Sequence, residues 1–358
     1  LIAFPEKHMN RIVFTISFAI VALVIVFASA CEPANQNNPA NTASAANKKI
    51  RIGFLMDAFQ QERWQKDKAI FEARCKELGA ELILQAADGD DDLQMKQAES
   101  LLTQGVDVLV IVPHNAEVAG SIVDLAKRQN VPVISYDRLV KNSEPDLYVS
   151  FDNERVGELQ AKYLLDRRPT GNYILIGGAP TDNNSHLLRK GQLNILQAGI
   201  DSGDIKVVAN QWAKEWLAEE ALKHVENALT NNNNDVVAIV MSNDGTAGGA
   251  IQALTAQGLA GKVLVSGQDA ELGALQRIVA GTQSMTVYKP IIKLAPAAVE
   301  AAVALAKGEK LNTTRTVNNG RIEVPSILIE PISVDRTNID ETVVKDGFQK
   351  REDIYGKP

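Results

Sequence analysis

Cysteine is scarce in this chain. Two occur in 358 residues, enough for one disulfide at most, which excludes a small domain stapled by several bridges. Basic runs are missing too: no five consecutive Lys or Arg occur, and 37 of them face 44 Asp and Glu for a net charge of −7. Neither a nucleic-acid groove nor a face for anionic lipid is expected from that balance. His8, His114, His186 and His224 share no metal-ligand spacing. No GxGxxG follows the first apolar strand, and no GxxxxGK[ST] or GxSxG occurs, so dinucleotide cradles, phosphate loops and nucleophile elbows lack support. No cofactor, no metal and no catalytic residue is expected. Aromatics amount to only 5%, which makes the three tryptophans, Trp64, Trp212 and Trp216, conspicuous.

What is present is a chain with 45% hydrophobic and 23% charged residues, long enough for about two domains of roughly 150 residues. From Met9 it reads MNRIVFTISFAIVALVIVFASAC: Arg11 precedes an unbroken apolar run that ends in Ala28, Ser29 and Ala30 before Cys31. This is the layout of a secretory signal over residues 1–30, with 1–8 upstream of the expected start. Small residues directly before a cysteine match a bacterial lipobox, in which Cys31 carries the lipid. A transmembrane anchor is the alternative, since Ile12 to Ala30 is just long enough to span a bilayer. Residues 31–48 hold no bulky apolar side chain and read as a tether with a reach of roughly 20–25 Å. Cys75 shares the stripe Trp64, Phe71, Cys75, Leu78 of a predicted helix and reads as a buried thiol.

From Lys49 onward, β-branched runs alternate with segments of helical period. IRIGFLM, ELILQ, VDVLVIV and VPVISY are the expected strands of a first half, and NYILIG, IKVVAN, DVVAIVM and KVLVSG those of a second. Between them, sets such as Met95, Ala98, Leu102, then Val118, Ile122, Leu125, and Ala247, Ala250, Leu254 recur at helical spacing. Continuous apolar strands separated by amphipathic helices imply α/β lobes with parallel sheets. The boundary falls near Asp152. The C-terminal third adds the strand SMTVYKP, a helix over about Ile292 to Lys307, and TVNNGRIEV, whose Asn319-Gly320 pair suits a type I′ hairpin. Such additions suggest that the chain crosses between lobes more than once. The expected division is 49–152 plus about 289–316 for one lobe and about 153–288 plus about 317–358 for the other.

Ligands of open α/β sheets bind at the carboxyl ends of the strands. Polar residues gather there in this chain: Asp57 and Arg63-Trp64, Asp137-Arg138, APTDNN, Asn243-Asp244, Gln268-Asp269 and Lys289. Carboxylate and amide oxygens accept from sugar hydroxyls, Arg and Lys donate to them, and flat rings pack on the C–H faces of a pyranose. Helix capping is the competing role for Asn183, Asn184 and Asp244, and a surface ion pair for Asp137-Arg138. Asp137 and Asp269 as a glycosidase pair are disfavoured, because nearby cations would hold both ionised.

ERWQKD (62–67), YDR (136–138), SFDNERVGELQAKYL, TDNN (181–184), QW (211–212) with Trp216, SNDGTAGGAIQALTAQGL, SGQDA (266–270), AGTQSMTVYKP and KDGF are long, specific strings spread over both halves. Through them, residues 49 to 348 closely resemble the bacterial D-xylose-binding proteins, periplasmic components of xylose ABC importers in the type I periplasmic binding protein superfamily. The resemblance implies two Rossmann-like lobes joined by a three-segment hinge, with sugar bound between them. It implies sugar contacts at Arg63, Asp137 and Arg138, at Asp182, Asn184, Asn243 and Asp269, and at Lys289 on a hinge crossing. Trp64 and Trp216 become the faces that hold the ring, with Asp57 and Arg189 in supporting roles. A monomer is expected, handing its sugar to a permease and ATPase complex from the periplasm or cell envelope, anchored through the Cys31 lipid. A sensor docking on a chemoreceptor or histidine kinase is the alternative. A transcription regulator would need an N-terminal DNA-binding helix pair, and a sugar-modifying enzyme would alter labelled xylose.

Overall fold

Apolar runs too continuous for a half-exposed strand become the buried strands of two parallel sheets. The computed structural model describes residues 48–313 and 315–356. The expected signal, Cys31 and all but the last residue of the expected tether lie outside the described residues. Among those described, no helix is long and apolar enough to cross a membrane.

The first lobe runs through β1 (Arg51–Met56), α1 (Glu62–Glu77), β2 (Glu81–Ala86), α2 (Asp91–Thr103), β3 (Val108–Ile111), α3 (Gly120–Arg128), β4 (Val133–Tyr136) and β5 (Leu147–Phe151). The second follows with α4 (Asn153–Leu165), β6 (Gly171–Gly177), α5 (Asn183–Ser202), β7 (Ile205–Trp212), a single turn Lys214–Trp216, α6 (Ala218–Asn231), β8 (Ala238–Met241), α7 (Asp244–Ala256), β9 (Leu264–Val265), α8 (Leu272–Ala280) and β10 (Thr286–Tyr288). The chain then returns through α9 (Ile291–Ala306), β11 (Arg315–Asn318) and β12 (Glu323–Ile329). It ends with β13 (Ile332–Val334) and α10 (Arg351–Tyr355). One sheet has the order β11-β12-β5-β4-β3-β1-β2, parallel except for the β11–β12 pair. The other is β7-β6-β8-β9, all parallel, and β10 pairs antiparallel with β13.

Three crossings join the lobes, between β5 and α4, β10 and α9, and β12 and β13. The expected boundary at 316/317 is therefore corrected: residues 317–329 belong to the first lobe, because β12 pairs with β5 in parallel from Ser326–Tyr148 to Ile329–Phe151. The third crossing lies near residue 330. The expected type I′ turn is also corrected. Asn318 pairs with Glu323, leaving a four-residue connection, and only Gly320 in it has a positive φ. Asn319 is held by donating to Val140 O and Ser143 O at 3.0 and 2.9 Å, which ties the connection to the loop after β4. Val118 lies ahead of α3 and Leu78 just past α1, both exposed, so neither completes its predicted stripe.

The packing that matters for function lies under α1. Phe54 of β1 stacks on Phe71 of α1 with ring centroids 4.4 Å apart, and Tyr136 of β4 meets both edge-on at 5.6 and 5.9 Å. Each such buried ring stabilises the fold by roughly 1.5–3 kcal/mol, and together they fix the start of α1 relative to the end of β4. Cys75 packs in the same core, where burial pushes its thiol up to about 12. It is a structural thiol.

Candidate functional site

Strand ends deliver the polar side chains, and they do so alike in both lobes. β4 stops at Tyr136, and Asp137 turns into the left-handed region (φ 59°) while its N–H donates to Val149 O of β5 at 2.7 Å. Asp269, beyond β9, has φ 94° and donates to Val287 O of β10 at 2.8 Å. Left-handed non-glycine backbone costs about 1–2 kcal/mol per residue. It is retained here where it turns a carboxylate across the gap between lobes. Trp216 (φ 58°) sits in the strained turn after β7. Gly178 lies directly against its ring, where any Cβ would overlap it.

The first lobe builds an ion-pair network. Arg63, in the first turn of α1, donates through Nη1 to Asp137 Oδ2 at 2.8 Å and through Nε to Asp67 Oδ2 at 3.1 Å. Tyr136 Oη donates to the other oxygen of Asp67. Arg138 donates to Asp57 Oδ2 at 2.6 Å and reaches across to pair with Asp182 Oδ2 at 2.9 Å. The Arg63 guanidinium also stacks on Trp64, 4.1 Å from the ring centroid. Burial opposes charge on Asp137, but Arg63 and Lys289 outweigh it and hold the carboxyl below its ordinary value. Asp57 is held low as well, burial being offset by Arg138 and His114.

The second lobe uses helix caps. Asp182 caps α5 by accepting from Asn184 N at 2.9 Å and also accepts from Trp216 Nε1 at 3.2 Å. Burial raises its carboxyl, an effect Arg138 only partly offsets. Asn243 caps α7 by accepting from Thr246 N at 3.0 Å. Asn184 donates to Asp137 O and Oδ1 at 3.2 and 3.3 Å, so capping is not its role. Asp244 is structural: it is buried and accepts from Gln283 Nε2, Thr286 Oγ1 and Glu271 N.

These residues meet around one narrow cavity of about 30 Å³. Arg63, Trp64, Asp137, Arg138, Asp182, Asn184, Trp216, Asn243, Asp269 and Lys289 all line it, joined by Gln61 and Gln268. Three carboxylates stand against three cations in that lining, so the cavity suits a neutral ligand rich in hydroxyls better than an ion. Three polar atoms in it are hidden from solvent without a hydrogen bond among the described residues: Arg63 Nη2, Gln268 Oε1 and Asp269 Oδ1. Asp269 Oδ1 lies 3.0 Å from Lys289 Nζ as an ion pair without hydrogen-bond alignment. Leaving a polar group so buried costs about 1–3 kcal/mol, which a bound hydroxyl would offset.

A family model described as a periplasmic binding protein domain matches residues 52–310. The chain belongs to the periplasmic binding protein family. This binding protein is 54% identical over 314 residues to a D-xylose-binding periplasmic protein of Haemophilus influenzae, covering 88% of the chain and 95% of the relative. A D-xylose-binding periplasmic protein of Escherichia coli is 52% identical with the same coverage. Among solved structures, a carbohydrate transporter solute binding protein from Chloroflexus aurantiacus, in complex with D-glucose, superposes with a TM-score of 0.82 at 30% identity. That match covers 87% of this chain and all of the other.

Not every expected residue reaches the binding protein's cavity. Asp57 stands behind Arg138. Arg189 does not line the cavity: it lies 4.8 Å over the ring of Trp212 and donates to Gln192 Oε1 at 3.1 Å. Trp212 packs on Gly177 and His186. Gln61, which accepts from Trp64 Nε1 at 2.5 Å, went unnoticed in the sequence. Gln268 stood among the polar loop residues there without a place in the expected site.

Proposed function

We propose that the cavity binds one monosaccharide, D-xylose first among candidates, and that the protein delivers it to the permease and ATPase of an ABC importer. The observation that carries this reading is the charge-balanced cavity with three buried polar atoms that have no hydrogen bond among the described residues and two tryptophans in its wall. A sugar touching both lobes stabilises only the closed arrangement, so binding shifts the population from open to closed. The small volume favours a single ring over an oligosaccharide. The names of the two relatives support D-xylose. Arg63, Asp137, Arg138, Asp182, Asn184, Asn243, Asp269 and Lys289 supply the hydrogen bonds in this reading, with Trp64 and Trp216 against the ring faces. In this reading the protein is a monomer of the periplasm or cell envelope held at a membrane by a lipid on Cys31, and a mature species starting at Cys31 without added acyl mass would remove that anchor. Isothermal titration with D-xylose, D-ribose, D-glucose and L-arabinose tests the ligand. Tightest binding of D-xylose is expected, and heat from another sugar with none from D-xylose would overturn it.

A further inference from the structure

His114 follows β3 in the first lobe and does not line the cavity described above. Its Nδ1 lies 2.9 Å from Asp57 Oδ1, and its Nε2 lies 3.8 Å from Glu215 Oε2. Glu215 belongs to the second lobe, in the strained turn that also carries Trp216 (φ 53° and 58°). The imidazole is thus held between carboxylates of the two lobes. All three side chains line a second cavity of about 370 Å³, which shares Gln61, Arg138 and Trp216 with the first. No residue of the three crossings lines it. Opening about those crossings therefore parts Glu215 from His114 while Asp57 stays with it.

A neutral imidazole donates from one nitrogen only and presents a lone pair at the other. With Nδ1–H given to Asp57, a neutral ring would turn its Nε2 lone pair toward the Glu215 carboxylate, whereas the imidazolium donates to both. The remaining charged groups nearby are Asp91, Asp88 and Lys214, and Arg138 on the far oxygen of Asp57. Carboxylates outnumber cations around the ring. The hydrogen bond donated to Asp57 raises the His114 pKa above its ordinary 6.5 against the opposing effect of burial, and Glu215 and Asp91 add to the rise.

We propose that His114 is a proton-dependent clasp: closure around the ligand brings Glu215 to the imidazole, takes up a proton, and is favoured as pH falls. His114 is a positioning residue that acts through closure. The inference rests on the sugar reading above, because a neutral monosaccharide carries no titratable group and any proton taken up must settle on the protein. A group whose pKa rises on closure stabilises the closed form below its open-form value, and that stabilisation is lost as pH rises through the closed-form value. By reciprocity, whatever proton binding adds to sugar affinity, sugar binding adds to proton affinity.

The test is calorimetric titration of the purified protein with D-xylose between pH 5 and 9, in two buffers of different protonation enthalpy. Part of a proton should be taken up above about pH 6.5, the ordinary imidazole value, and none at pH 5, where the ring is protonated in both forms. Affinity should be about 1.5-fold to fivefold weaker at pH 8.5 than at pH 5.5, a span of the size expected for one partly exposed ion pair. His114→Gln should still bind but lose the buffer dependence, and Glu215→Gln should reduce it while speeding sugar release at low pH. Equal heats in both buffers across the range with tight binding, or uptake that persists in His114→Gln, would overturn the clasp. Absence of binding by wild type would instead overturn the D-xylose reading, and the same buffer pair with whichever sugar binds would then decide the clasp. Glu215 is partly exposed at the cavity mouth, so its variant remains informative even where the buried His114 variant folds poorly.

Discussion

The first lobe holds its cavity residues with ion pairs that close within that lobe, Arg63 to Asp67 and Asp137, and Arg138 to Asp57. The second lobe holds its residues with helix caps at Asp182 and Asn243. The pairs inside the first lobe survive opening of the cleft, whereas Arg138 to Asp182 exists only when the lobes meet. Removing an ionic group from the first lobe should therefore damage both stability and binding. Removing one from the second should damage binding far more than folding.

The largest effect is expected for Arg63→Met. It leaves Asp67 and Asp137 buried without their main cation, and breaking such a pair costs about 3–5 kcal/mol. Denaturant unfolding of the sugar-free protein should show that loss, and calorimetry should show no D-xylose binding. Asp269→Asn comes next: losing a charged partner to a hydroxyl costs about 1.5–3 kcal/mol, or roughly tenfold to a hundredfold in affinity. Its sugar-free stability should stay within about 1 kcal/mol of wild type, the usual span for a site that costs the fold little. A destabilisation of Asp269→Asn as large as that of Arg63→Met would erase the distinction between the walls. The smallest effect is expected for Gly178→Ala. Its methyl group displaces the Trp216 ring toward the cavity, and overpacking of this kind costs about 1–3 kcal/mol. Affinity should fall about tenfold with the Trp216 fluorescence altered, and an unchanged affinity would show that Trp216 is not a wall of the site.

Much of this arrangement was legible in the sequence because buried parallel strands leave continuous apolar runs, as in VDVLVIV and NYILIG. β5 was not, since LYVSF places Ser150 and Tyr148 in a buried strand. Both hydroxyls donate to Asp137 O, at 2.5 and 3.0 Å, and so brace the very residue that turns into the cavity. The return of β12 to the first sheet was hidden for another reason: pairing across a crossing leaves no local mark in composition. Among the site residues, Asp137 and Asp269 were visible as charged groups directly after strands. Gln61 carried no such signal, because it precedes a helix among other polar residues. Arg189 and Trp212 were charged and aromatic near the right loops, yet they pack on each other, and proximity in sequence did not separate them from Trp216. His114 was set aside for want of metal-ligand partners, although its partners are carboxylates on opposite lobes.

Whether one sugar ring is enclosed between the two walls is read out by diffraction from crystals grown with D-xylose. Density for a single pyranose is expected against Trp64 and Trp216, with its hydroxyls within hydrogen-bond distance of Arg63, Asp137 and Asp269. Sugar bound elsewhere, with this cavity holding only solvent, would contradict it.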